Sequence, residues 1–201
     1  MITLVDMQNH FSLDMRPRTV VAVDAELLEA GISVDLQGRS FNHGLIRFHS
    51  SVSRPLWARI IKDHIRLNPS ETLPLFFDWE GKNIFYHRES GRTYFVDPST
   101  NEVDWLTESI PELLEKVCSD EGPDILDEED FEVARQHLGE PSLGFDECMG
   151  FVLPLFLGGS EEPSNREVTD MEVFWEINRQ LAEQTKDLTV GTAIEGIELK
   201  D

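Results

Sequence analysis

Residues 73–106 read LPLFFDWEGKNIFYHRESGRTYFVDPSTNEVDWL, and this stretch decides the fold class. Four β-branched or aromatic runs, at 73–79, 83–87, 93–96 and 103–106, are separated by Glu-Gly, Ser-Gly and Pro-Ser-Thr-Asn. Such short polar spacers are typical of hairpin turns. Because they leave no room for a helical crossover, neighbouring strands are expected to pair antiparallel. The stretch therefore predicts a mostly antiparallel sheet.

Helical patterns lie on both sides of this stretch, with capping residues and apolar spacings that place helices at about 24–30, 54–65, 109–119, 127–138 and from Thr169 onward. Alternation over 44–49 predicts one further strand with a half-buried pattern. The segments 119–124 and 160–165 resemble linkers. The expected fold is α+β, a single domain over 1–201 with a central mostly antiparallel sheet flanked by helices.

The charge of the chain is strongly acidic and unevenly distributed. The net charge of the 201 residues is −22, yet residues 1–70 hold 7 acidic and 8 basic side chains, whereas residues 119–148 hold 11 acidic and one basic. Such a field repels nucleic acid and anionic membranes and speeds association with a basic partner. Solubility alone is the other interpretation. No apolar run approaches the length of a membrane span, and the N-terminus lacks a secretion signal, so a cytoplasmic location is expected.

Motifs for catalysis, nucleotide binding or metal binding are missing from the sequence. The six histidines are scattered singly, and the glycines form neither a dinucleotide loop nor a P-loop. The run Asp127–Asp130 lacks the ligand spacing of a calcium loop, which favours a solvated first helical turn. Cys118 and Cys148 are expected to be reduced, buried thiols. We therefore expect no cofactor, no metal and no enzymatic activity.

Four further motifs, in a fixed order, carry a resemblance to a known family. They are GLIRFHS at 44–50, LPLFFDWEGK at 73–82, YFVDPSTNEV at 94–103, and ECMGFVLPLFLGG at 147–159 continued by NREVTDMEVFW at 165–175. This pattern resembles a bacterial immunity-protein family of type VI secretion and polymorphic-toxin loci, with a C-terminal domain that accompanies DNase toxins, distantly similar to the SUKH superfamily. The similarity spans about residues 44–190, and residues 1–43 match no recognisable pattern.

The resemblance implies an inhibitor of a cognate secreted toxin that acts by stoichiometric occlusion, without turnover. The acidic charge favours a basic, nucleic-acid-directed toxin as the partner, with no direct binding of nucleic acid or membrane. An intracellular interaction or scaffold module of the same superfamily is the alternative function. We expect Arg166 and Trp175, which lie in the shared motif, to be structural. For Asp78 and Trp79 both an interface role and a structural role are open, with the structural one favoured. The candidate toxin-binding residues are Asp120, Glu121, Asp124, Asp127, Glu128, Glu129, Asp130, Asp78, Glu80, Glu161 and Glu162.

Overall fold

A six-stranded antiparallel sheet forms the centre of the protein in the computed structural model, which describes residues 1–14, 22–65 and 68–189 together with Thr192 and Gly196. The strands lie side by side in sequence order: β1 (Ser40–Phe41), β2 (Ile46–Phe48), β3 (Thr72–Asp78), β4 (Asn83–His87), β5 (Arg92–Asp97) and β6 (Glu102–Thr107). The last four are the strands predicted from residues 73–106, and each is joined to the next by a short turn. The α+β prediction is confirmed.

The helices and a small second sheet surround this centre. The helices are α1 (Leu4–Gln8), α2 (Ala25–Glu29), α3 (Ser53–Ile65), α4 (Ile110–Val117), α5 (Gly122–Ile125), α6 (Glu128–His137) and α7 (Met171–Thr185). The second sheet pairs β7 (Glu147–Phe151) antiparallel with β8 (Arg166–Asp170). The predicted N-caps Asp24 and Ser109 accept hydrogen bonds from the first turns of α2 and α4. Helix α7 is capped by Asp170, one residue later than the predicted Thr169, and Asp170 accepts from the amide of Val173.

Two apolar cores lie on opposite faces of the six-stranded sheet. Phe76 belongs to the larger core, which the N-terminal helices and α4 to α6 cover, whereas its neighbour Phe77 belongs to the smaller core under α3 and α7. Adjacent residues of a strand point to opposite faces of the sheet, so Phe76 and Phe77 lie in different cores. Gly150 allows β7 to approach α7, because a Cβ there would lie 2.6 Å from the ring of Phe174.

A strand is present within 44–49 as predicted, but the half-buried pattern predicted for it is wrong, because β2 is buried on both faces. Arg47 and His49 are fully buried although they alternate with apolar residues. The guanidinium of Arg47 donates to the carbonyl oxygens of Asp78 at 2.5 Å and Gly144 at 3.0 Å, and to that of Glu147. Burial lowers the pKa of Arg47 to about 10. The carbonyl oxygens replace hydrogen bonds that the guanidinium would otherwise make to water.

The linker-like interpretation of 119–124 is also wrong, because α5 begins at Gly122. The carbonyl of Leu126, just after α5, accepts a hydrogen bond of 3.0 Å from the indole nitrogen of Trp79. The other linker-like segment, 160–165, ends in a short 3-10 turn, and the side chain of Asn165 donates to the carbonyls of Leu153 and Ser160. The hydroxyl of Ser119 donates a 2.8 Å hydrogen bond to the carbonyl of Lys116, so both segments are held in place by hydrogen bonds.

Candidate functional site

The turn between β3 and β4 forms the floor of the candidate site. The carboxylate of Asp78 accepts hydrogen bonds from the amides of Glu80 at 3.0 Å and Lys82 at 2.9 Å, which closes the turn. Gly81 has a φ of 88°, and a Cβ there would lie 3.3 Å from the Sγ of Cys148. Asp78 is buried, and burial raises its pKa above the ordinary value. The structural role favoured for Asp78 and Trp79 is therefore supported.

A buried ion network connects this turn to β8. Glu80 is 7% exposed and pairs with both Arg166 and Lys82, and Lys82 Nζ also lies 3.1 Å from the carboxylate of Asp127. Burial acts to raise the pKa of Glu80, but the two cations outweigh it and lower that pKa below the ordinary value. The guanidinium of Arg166 lies over the rings of Trp79 at 4.5 Å and Phe151 at 3.9 Å. The network therefore fixes four charged groups at the base of a cleft.

The cleft above this network has a volume of about 320 Å³, and we call it the acidic cleft. Its polar lining brings together side chains from four separate parts of the chain: Glu80, Lys82, Asp97, Thr100, Asp127, Asp130, Glu161 and Arg166. Its apolar lining consists of Val133, Ala134, Phe151, Leu155 and Pro163. The carboxylates in the lining outnumber the cations, so the cleft presents negative charge to a partner.

The predicted site residues divide into three groups in the structure. Glu80, Asp127, Asp130 and Glu161 line the acidic cleft. Exposed carboxylates around α5 and α6 form a second group, the outer acidic set, which consists of Asp120, Glu121, Asp124 and Glu129. The remaining three lie apart from these groups: Asp78 is buried, Glu128 is half-buried and accepts a 2.9 Å hydrogen bond from Asn42, and Glu162 is exposed. Burial leaves Asp78 and Glu80 little surface for direct contact, whereas Asp130 and Glu161 are exposed.

Sequence reasoning missed Asp97, Thr100, Lys82 and Arg166 as parts of this site. Asp97 ends β5, and its carboxylate accepts a 2.7 Å hydrogen bond from the amide of Ser99. Burial raises the pKa of Asp97, and the charge of Glu80 adds to that effect while Lys82 opposes it. The Asp-Pro-Ser-Thr turn identifies Asp97 as a turn residue, but no local pattern shows that this turn faces α6.

The described residues contain no group of three or more His, Cys, Asp or Glu side chains suited to hold a metal ion. Among the described helices, none has both the length and the apolar character required to cross a bilayer. Cys148 is a buried free thiol and Cys118 is half-buried, and burial raises the pKa of both. The acidic cleft is suited to bind a cationic group of another molecule.

Residues 107–182 match a family model described as "T6SS immunity protein Tdi1, C-terminal". This match supports a type VI secretion immunity protein family. The matched segment begins at the end of β6 and contains α4 to α6, β7, β8 and most of α7. It therefore contributes Asp127, Asp130, Glu161 and Arg166 to the acidic cleft. The motifs before residue 107 lie outside the match.

The fold itself is similar to that of a solved structure, "Crystal structure of Atu4351 from Agrobacterium tumefaciens". The TM-score is 0.64 at 17% sequence identity, and the similarity covers 87% of this chain and 87% of that chain. At this identity the likeness shows a shared fold alone. A search of curated proteins gives no significant match. The distant SUKH relationship stays a prediction.

Proposed function

We propose that this protein neutralises one cognate secreted toxin by binding it as a stoichiometric inhibitor and covering its active site. The family match over 107–182 supports toxin neutralisation, and the acidic cleft is the observation that favours a particular surface. The candidates predicted from the sequence include the acidic residues at the start of α6 and, far from them along the chain, Glu161 and Glu162 of the 160–165 loop. Asp127, Asp130 and Glu161 line one cleft, which supports a single contact surface.

The charge of this surface favours a basic toxin, in particular one that acts on nucleic acid. A nuclease holds phosphates with lysine and arginine side chains, and carboxylates placed against those side chains exclude the substrate. The outer acidic set is exposed next to the cleft elements and extends the negative field into solvent. Inhibition therefore needs no catalytic group in this protein. The proposed location is the cytoplasm, where the toxin acts.

The test is co-expression with the toxin encoded in the adjacent reading frame, followed by purification of the complex. We expect a complex of fixed stoichiometry by light scattering, and a titration of toxin activity that ends at the same ratio. Inhibition at a small fraction of that ratio would instead indicate enzymatic inactivation of the toxin. A chain that neither binds nor protects against the toxin would favour the scaffold function.

A further inference from the structure

The acidic cleft is lined by two chemically different kinds of side chain. Some are apolar, among them Phe151 and Leu155, and others carry carboxylates, among them Asp97, Asp130 and Glu161. Long cationic side chains have the same two-part character, because a hydrocarbon stem carries a charged end. The cleft is open at its surface side through the exposed residues Asp130 and Glu161.

Several polar groups in the cleft lack a partner within the described part of the chain. The hydroxyl oxygen of Thr100 is buried and has no hydrogen-bond partner there. Asp130 and Glu161 make no ion pair with any described cation. Lys82 and Arg166, the two cations of the lining, are both held by the buried Glu80. A buried hydroxyl without a partner is destabilising unless a ligand or water satisfies it.

We propose that the acidic cleft receives one lysine or arginine side chain of the partner, with its stem against the apolar lining residues and its charged end among the carboxylates. This inference rests on the proposed function for the identity of the partner, but its chemistry depends only on the cleft. An anionic group is disfavoured, because it would face Asp97, Asp130 and Glu161. A cation at this position also relieves the repulsion between Asp97 and Glu80.

The direct test uses small probes with the full chain. Amide shifts are followed by NMR during titration with N-acetyl-arginine methylamide, N-acetyl-lysine methylamide and the uncharged N-acetyl-norleucine methylamide. We expect saturable shifts at Thr100, Ala134 and Leu155 with the two cationic probes only. The double variant Asp130→Asn/Glu161→Gln should bind them about tenfold more weakly, because charge-assisted hydrogen bonds are lost. The matched control Asp120→Asn/Glu121→Gln, outside the cleft, should bind as the parent does.

Equal binding of the norleucine probe, unchanged binding by the cleft variant, or no saturable shift at these three amides would each overturn the inference. A second arm uses the cognate toxin, from which the cleft variant should dissociate about tenfold faster than the control variant. If the cleft variant dissociates from the toxin at the same rate as the control variant, the cleft contact is refuted and the immunity function stands. If the cationic probes bind in the cleft but the chain forms no complex with the toxin, the cleft chemistry is supported and the immunity function is refuted.

Discussion

At the scale of single residues, Arg166 and Trp175 of the motif at 165–175 make internal contacts. Arg166 is 8% exposed and donates a 3.1 Å hydrogen bond to the carbonyl of Met149, in addition to its pair with Glu80. Trp175 is 1% exposed, and its indole nitrogen donates a 2.8 Å hydrogen bond to the carbonyl of Gly81. The burial of Trp175 agrees with the structural role predicted for it. Arg166 also lines the acidic cleft, so a purely structural role for it stays a prediction.

Trp175→Ala should destabilise the protein strongly. The indole packs edge-on against Trp57 with ring centroids 5.3 Å apart, so its removal leaves a cavity between α3 and α7. We expect a loss of roughly 3–5 kcal/mol in the free energy of unfolding, measured by urea denaturation. The control is Val173→Ala on the same helix, since Val173 is 51% exposed. Equal unfolding midpoints for the two variants would contradict this packing role.

His64 should make stability depend on pH. Burial, with a further contribution from Arg179, lowers the pKa of His64 from 6.5 to about 4, while Glu176 opposes the shift. Both ring nitrogens are buried without a hydrogen-bond partner among the described residues. The imidazole of His64 therefore takes up a proton near pH 6.5 in the unfolded chain but only near pH 4 in the folded chain. Stability is lost as pH falls from about 6.5 towards 4.

The expected loss attributable to His64 is up to about 3 kcal/mol across that interval. The measurement compares urea unfolding of the parent and of His64→Leu at several pH values, because the carboxylates titrate equally in both. The difference in stability should shift in favour of the variant as pH falls. His137→Leu, at an exposed position, is the control and should follow the parent. A difference between parent and His64→Leu that is constant with pH would refute the prediction.

At the scale of elements, the exposed carboxylates of α5 and α6 form an acidic surface. The first turn of α6 holds Glu128, Glu129 and Asp130, where carboxylates interact favourably with the helix dipole. Asp127, the residue before α6, has a φ of 50° and makes no side-chain capping bond. Its carboxylate instead pairs with Lys82, so the entry to α6 faces the acidic cleft.

Neutralising the outer acidic set to Asn and Gln should slow association with the cognate toxin and flatten its salt dependence. Long-range attraction is screened by salt and acts mainly on the association rate, whereas exposed charges contribute little to folding. The control neutralises an equal number of exposed carboxylates elsewhere: Glu102, Glu115, Glu167 and Glu172. Stopped-flow kinetics at several ionic strengths measure the effect. Identical association rates for both quadruple variants would show that total charge, and not this surface, attracts the toxin.

At the scale of the whole molecule, the segment that matches the immunity family depends on the residues before it. The amide of Met149 in β7 donates a 2.8 Å hydrogen bond to the carbonyl of Trp79, which joins the second sheet to the β3–β4 turn. Arg47 of β2 holds the carbonyls of Gly144 and Glu147 just before and within β7. The smaller core mixes Phe77 and Phe85 of the central sheet with Phe174 and Trp175 of α7. We therefore propose that the chain folds as one unit.

Residues 107–182 expressed alone should not fold. Without the central sheet, the apolar faces of α4 and α7 and the charge of Arg166 lose their buried partners. We expect a circular dichroism spectrum without a cooperative thermal transition and poorly dispersed amide signals. The full chain, purified in the same way, is the control. A dispersed spectrum with cooperative unfolding would show that the segment is an independent domain.

Local patterns in the sequence determined the helices α2, α3, α4, α6 and α7, the four strands from β3 to β6 and the α+β class, because caps, turn residues and apolar periodicity act over a few neighbouring residues. They also determined that Trp175 lies on the buried stripe of α7. They did not show α1 or α5. The acidic cleft was decided only by the tertiary structure, because Asp97, Asp130 and Glu161 come from three distant segments that pack together. The burial of Arg47 and Glu80 was likewise undetermined by the sequence. A charged residue is stable inside a protein only where distant carbonyls and counter-charges meet it, and only the complete fold brings those groups within hydrogen-bonding distance.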